Sequence, residues 1–208
     1  MKKAPVDVFS DWVHQGKDDG MERNHLPAVE AMLSHATQDV NSFSFIDAGC
    51  GNGWVVRKVS QLGACTSALG IDGSPEMIQK AQSLDGENSY VCDDLMSWVP
   101  QEKVTLVHSM EVFYYFKEPE KLIQQVHDYW LAPGGRLIIG LDFYTENEES
   151  HSWPEDCGIS IMELFPENSW KTFFRNAGFQ TVESWRIGEK EGWAGTLIVT
   201  GAKAHTGP

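Results

Sequence analysis

Seven residues of this 208-residue chain, Asp47-Ala48-Gly49-Cys50-Gly51-Asn52-Gly53, carry the densest chemical information. Glycines let a backbone approach a ligand closely, and a helix start directly after them presents unpaired N–H groups. Such a loop either holds a ligand or merely joins a strand to a helix. Spacing sorts the ligands. The dinucleotide fingerprint Gly-x-Gly-x-x-Gly/Ala fails, because counting from Gly49 its last place falls on Trp54, and counting from Gly51 it falls on Val56. A P-loop needs Gly-Lys-Ser/Thr at its end, and none is present. What remains is an acidic-x-Gly-x-Gly-x-Gly loop.

Apolar periodicity shows what must position that loop. A short buried strand over residues 43–46 ends at Asp47, and helical spacing follows from Trp54 to about Leu62. A second strand over 66–71 leads to Ser74-Pro75-Glu76, with Ser as N-cap and Pro at the first helical position. Strands follow over 90–92 and 104–108. A helix over 118–130 stops at the turn Ala132-Pro133-Gly134-Gly135, and a fifth strand covers 136–141. A helix over 167–176, closed by Gly178, precedes two strands near 179–187 and 194–200 that read as an antiparallel pair. The alternation predicts one α/β domain over 1–208. Its core, 43–201, is a Rossmann-like, doubly wound, mostly parallel sheet of seven strands with a C-terminal antiparallel hairpin. Residues 1–42 are a helical extension with at least one amphipathic helix (Leu26, Val29, Met32, Leu33). Residues 142–166 are a polar connection at the carboxyl ends of the strands, where ligands of such sheets sit.

The loop resembles the cofactor loop of class I S-adenosylmethionine-dependent methyltransferases, and the resemblance extends over about residues 43–201. In that family an acidic residue ending the second strand takes both ribose hydroxyls. Gly70-Ile71-Asp72 supplies it here, and a carboxylate can accept two O–H bonds at once. Cys92-Asp93-Asp94-Leu95 resembles the adenine-binding segment, with one of the two aspartates turned inward. Leu106 to Val112 resembles the strand bordering the methionine end of the cofactor, and Leu131-Ala132-Pro133-Gly134-Gly135 resembles the family's turn before strand five. The resemblance therefore implies S-adenosyl-L-methionine held by Asp47, Gly49, Cys50, Gly51, Gly53, Asp72, Gly73, Met77, Asp93, Asp94, Leu95, His108 and Ser109. Taken singly, each aspartate is also readable as a solvated loop charge or a cap neighbour.

Methyl transfer is an in-line displacement at carbon, so the protein chiefly aligns donor and nucleophile and excludes water. A protonated acceptor also needs a proton acceptor. The family has no universal base, and His25, Glu111 and Tyr114 are the candidates. Trp12 and Met21 in the extension, Tyr115 after strand four, and Asp142, Tyr144, His151 and Trp153 in the connection are candidates for contacting acceptor. They could orient a small polar or cationic molecule, with an indole face for a cation. The alternative for each is structural: a staple for the extension, or aromatic anchors in an acidic surface loop. Of the eight tryptophans, Trp98, Trp130, Trp170 and Trp185 fall where a core is expected, and Trp12, Trp153 and Trp193 near a cavity mouth.

Composition narrows the partners. Sixteen basic against thirty acidic residues give a net charge of −14, a field that repels phosphate backbones. No Asn/Asp-Pro-Pro-Tyr follows strand four, which also argues against methylation of base amines. The start lacks the apolar region of a secretory signal, and no apolar run is long enough to span a membrane. The four cysteines, Cys50, Cys65, Cys92 and Cys157, form no Cys-x-x-Cys pair, so neither a zinc site nor a disulfide framework is expected. Reduced thiols in the cytoplasm are the default. The reading is a cytoplasmic methyltransferase, monomer or homodimer, acting on a small molecule without a metal. The alternatives are another use of the same cofactor, such as aminopropyl transfer, or a non-catalytic partner subunit.

Overall fold

The computed structural model describes residues 2–205. Seven strands form one sheet: β1 (Phe43–Ala48), β2 (Cys65–Asp72), β3 (Ser89–Cys92), β4 (Val104–Met110), β5 (Leu131–Leu141), β6 (Gln180–Ile187) and β7 (Thr196–Ala202). Their order is β3-β2-β1-β4-β5-β7-β6, with β1 to β5 parallel and β7 antiparallel to both neighbours. The chain therefore winds one way from β1 and the other way from β4, which leaves a crevice between them at their carboxyl ends. Every parallel strand delivers its last residues to that edge. β7, running backwards, delivers its first, Thr196.

Period-two alternation explains the two layers of helices. On one face Phe45, Leu106, Ile138 and Ile198 meet Val29, Met32 and Leu33 of α2 (Met21–Thr37) and Trp54 and Val55 of α3 (Trp54–Ser60). Their neighbours Ile46, Val107, Leu137, Ile139, Leu197 and Val199 point to the other face. There they meet Leu122 and Ile123 of α5 (Pro119–Gln125) and Trp170 and Phe174 of α7 (Glu167–Asn176). Between β2 and β3, α4 (Pro75–Leu84) starts as its sequence predicts: Ser74 Oγ accepts the Met77 N–H and Pro75 is the first helical residue. α6 (Trp153–Asp156) is a single turn inside the long connection.

Three boundaries differ from expectation. The helix predicted over 118–130 is α-helical only to Gln125 and continues as a π-turn over Val126–Trp130, where the Trp130 indole donates to the Trp98 carbonyl at 3.0 Å. The Pro-Gly-Gly turn does not precede β5 but interrupts it. Leu131 already pairs with Val104, and pairing resumes at Arg136 opposite Leu106, so residues 132–135 bulge out with Gly134 at φ 77°. The N-terminal extension holds two helices, α1 (Pro5–His14) and α2, joined by a 3-10 turn over Lys17–Gly20.

Candidate active site

The carboxyl edge opens into a cavity of about 1000 Å³ roofed by α1 and α2. One end is formed by the glycine loop. Gly49, Gly51 and Gly53 all have positive φ (75°, 52° and 79°), a region costly for other residues. A side chain at Gly49 would strike Val112, whereas one at Gly51 would point at Met21 and Met77 within the cavity. Asp72 ties this loop to the next: Oδ2 accepts the Gly51 N–H at 2.9 Å and Oδ1 accepts the Ser74 N–H at 2.8 Å. Burial pushes its carboxyl up, and these N–H groups oppose the shift. Each oxygen still has a lone pair for a ligand hydroxyl. Asp93, Asp94 and Leu95 close this end, with the Asp94 N–H bonded to Asp93 Oδ1 at 2.7 Å.

The other end is acidic and aromatic. Glu111 follows β4 at φ 61°, a strained conformation fixed by its N–H to the Gly140 carbonyl at 2.9 Å. Its carboxylate accepts the Asp142 N–H on one oxygen and the Tyr114 hydroxyl, at 2.6 Å, on the other. Burial holds Glu111, Asp142 and the Tyr114 phenol above their ordinary values, and it pulls His25 below its own. His25 is thus a neutral imidazole at pH 7, with Nδ1 4.0 Å from Asp142 Oδ2. Phe9 of α1 packs edge-on against both Trp12 and Tyr115, with ring centroids 5.2 Å apart in each pair. Trp153 and Trp193 stack at 6.2 Å on the far wall.

The roof is fastened to the glycine-loop end. Asp18, fully buried, accepts from the Asn52 amide at 3.0 Å and pairs with Lys80 at 2.7 Å, and Ser10 meets Ser74 at 2.9 Å. Lys3 adds a bridge to Ile159.

Of the residues named from sequence, Asp47, Gly49, Cys50, Gly51, Asp72, Gly73, Met77, Asp93, Asp94 and Leu95 line the cavity. So do His25, Glu111, Tyr114, Trp12, Met21, Tyr115, Asp142 and Trp153. Five others do not. Gly53 lies behind the loop, against Tyr90. His108 stands opposite Asp47 in the β1–β4 register, donates or accepts at 2.7 Å through Nδ1, and is fully buried beneath the loop. Ser109 turns its hydroxyl to the Ala48 carbonyl at 2.7 Å. Tyr144 is a core residue whose hydroxyl donates to the Ala194 and Gly195 carbonyls, and His151 is exposed and bonded to the Thr145 carbonyl. These last four do not line the cavity. Sequence reasoning missed Trp54, Val112, Met162, Lys190 and Thr196, which also line it. Thr196 was findable, because an antiparallel strand places its first residue at this edge. Among the described residues no group of three acidic, histidine or cysteine side chains could hold a metal, and no helix is long and apolar enough to cross a membrane.

Comparison with known proteins agrees with this geometry. A family profile described as a methyltransferase domain matches residues 18–184. A trans-aconitate 2-methyltransferase of Escherichia coli is 25% identical over 144 residues, 69% of this chain and 53% of its own. The chain spans about half the length of the curated relatives it matches. Among solved structures, a chain of the complex between the Haloferax volcanii Trm112 methyltransferase activator and a methyltransferase superposes with TM-score 0.80 at 26% identity. That match covers 95% of this chain and 98% of the other. The N-methyltransferase NodS of Bradyrhizobium japonicum, bound to S-adenosylhomocysteine, superposes with TM-score 0.65 at 17% identity, over 85% of each chain.

Proposed function

Because the chain belongs to the class I S-adenosylmethionine-dependent methyltransferases, we propose that it transfers a methyl group to a small-molecule acceptor held at the acidic, aromatic end of the cavity. The carrying observation is that one cavity joins Asp72 and the glycine loop to Glu111, Asp142 and His25. The residues fit the cofactor. Gly51 leaves open the approach that a side chain would fill, and Asp72 is pre-set by two backbone N–H groups to face a pair of hydroxyls. When bound, the sulfonium supplies an electrophilic methyl carbon whose bond to sulfur breaks as the acceptor's lone pair forms the new bond.

The chain's own residues then align and dry the acceptor. Phe9, Trp12 and Met21 exclude water from above, and the Glu111 carboxylate fixes the Asp142 backbone. Tyr114 is held as a phenol that orients Glu111. His25 is the imidazole placed beside Asp142 to receive a proton, with Nδ1 4.0 Å from Oδ2. Trans-aconitate, the acceptor named for the relatives, carries three carboxylates. Glu111 and Asp142, both acidic, line this end, and an acceptor without carboxylates fits it better.

A metabolite screen that reads S-adenosylhomocysteine formation by mass spectrometry tests the proposal. Turnover of a small molecule by the chain alone supports it. The Haloferax neighbour was solved in complex with an activator, so turnover only of, or only with, an added protein would replace it.

A further inference from the structure

Asp142 is 6% exposed and lines the cavity beside Thr196; its Oδ1 is enclosed without a hydrogen-bond partner, and its Oδ2 faces His25. A buried carboxylate with an unmet oxygen is costly, and a ligand that donates to the carboxylate lowers that cost. The neighbouring carboxylate differs, since both Glu111 oxygens are engaged. The separation of 4.0 Å between His25 Nδ1 and Asp142 Oδ2 is too long for a hydrogen bond. It is the right width for one nitrogen placed about 2.9 Å from each group. Among the described residues no arginine and no lysine but two lines the cavity. Lys17 and Lys190, the lysines that line the cavity, are exposed on the 3-10 turn and the β6–β7 loop. Trp12, Tyr115 and Trp153 add ring faces that attract a cation.

Resting on the methyltransferase reading, we propose that the acceptor is a primary or secondary amine. It is bound as its ammonium through an N–H to Asp142 Oδ2, with His25 as the group that takes its proton. The ammonium gives one proton to His25, and the freed lone pair forms the new C–N bond. The methyl–sulfur bond breaks with its electron pair left on sulfur. The product is the N-methylated ammonium, and the proton on His25 passes to solvent. His25 is placed for that step, with its Nδ1 4.0 Å from Asp142 Oδ2 in the cavity wall. A carboxylate acceptor finds no donor in Glu111, whose oxygens are both engaged, and meets a second acidic group in Asp142.

Calorimetry with saturating S-adenosylhomocysteine and two matched probe pairs, benzylamine with benzoate and 2-phenylethylamine with 3-phenylpropanoate, tests the binding claim. The amines bind and the acids do not, and Asp142→Asn lowers amine affinity by about tenfold or more, as expected for loss of a charged partner. Homocysteine-nucleoside affinity is unchanged in that variant, which reports that it is folded. For any amine that turns over, His25→Asn lowers kcat about tenfold at pH 7, and the loss shrinks near pH 9, where free amine is present without a base. Acids binding better than amines, no amine binding, or an Asp142→Asn variant within about twofold of wild type overturns the amine assignment alone. Failure of wild type to bind S-adenosylhomocysteine removes the methyltransferase reading together with it.

Discussion

The two ends of the cavity are built in different ways. The cofactor end comes from residues just past β1, β2 and β3, on three short connections, and its polar groups satisfy one another through the backbone: Gly51 to Asp72, Ser74 to Asp72, Asp94 to Asp93. The acceptor end gathers α1, α2, the segment after β4, the 142–166 connection and the β6–β7 loop. Its groups hold a strained Glu111 and an incompletely bonded Asp142. A site for a constant ligand is completed by the fold itself. A site for a variable ligand leaves bonding capacity open, and that unspent capacity is where specificity resides.

This contrast can be broken or sharpened by substitution. The largest effect is expected at the self-satisfied end. Asp72→Ala removes a carboxylate that spans two loops and orphans two N–H groups, which costs about 3 kcal/mol, or roughly 100-fold, in S-adenosylhomocysteine affinity. An affinity within threefold of wild type by calorimetry would remove Asp72 from the cofactor site. Next is Gly49→Ala, which puts a methyl group against Val112 at φ 75°. It should destabilise by about 2 kcal/mol, seen as a melting temperature lower by about 4–8 °C. An unchanged melting curve would mean the β4–α5 segment yields freely.

Smaller and opposite in sign is Glu111→Gln. The buried carboxyl titrates above its ordinary value. Its favourable contribution is therefore full below the ordinary glutamate range and is lost as pH rises through the raised value. The amide keeps the acceptor for the Asp142 N–H and has no charge to bury. The variant should melt higher than wild type at alkaline pH, by about 2–4 °C, with the gap closing in acid. A gap that widens in acid would reverse the assignment. Smallest is His151→Ala, which should leave stability within about 0.5 kcal/mol and turnover unaltered, since the side chain is exposed and away from the cavity. A turnover defect there would move the acceptor wall outward.

Legibility followed the same division. The place of Gly49, Gly51, Asp72 and Asp93 at the cavity was readable because it depends on a strand end and the few residues after it. Ser74 and Pro75 announced α4 for the same reason. His108 and Ser109 lie off the cavity lining because the register with β1 turns His108 to Asp47 and Ser109 to a carbonyl, directions that alternation along β4 alone does not fix. Tyr144 resembled a substrate residue until the hairpin carbonyls of Ala194 and Gly195 claimed its hydroxyl. Its phenol is raised to about 12 chiefly by burial, so it stays a donor.

The amino-acid order by itself determined the seven strands, the closing hairpin and the chemistry of the loop after β1, since these rest on period-two alternation, turn residues and short-range spacing. Tertiary structure alone decided that Asp18, 34 residues from Asn52, would lock the N-terminal roof onto that loop. It also decided that His25, Glu111 and Asp142 would meet. Contacts between segments so far apart depend on helix packing and strand register, and side-chain direction at a distant position carries no local signature in the chain.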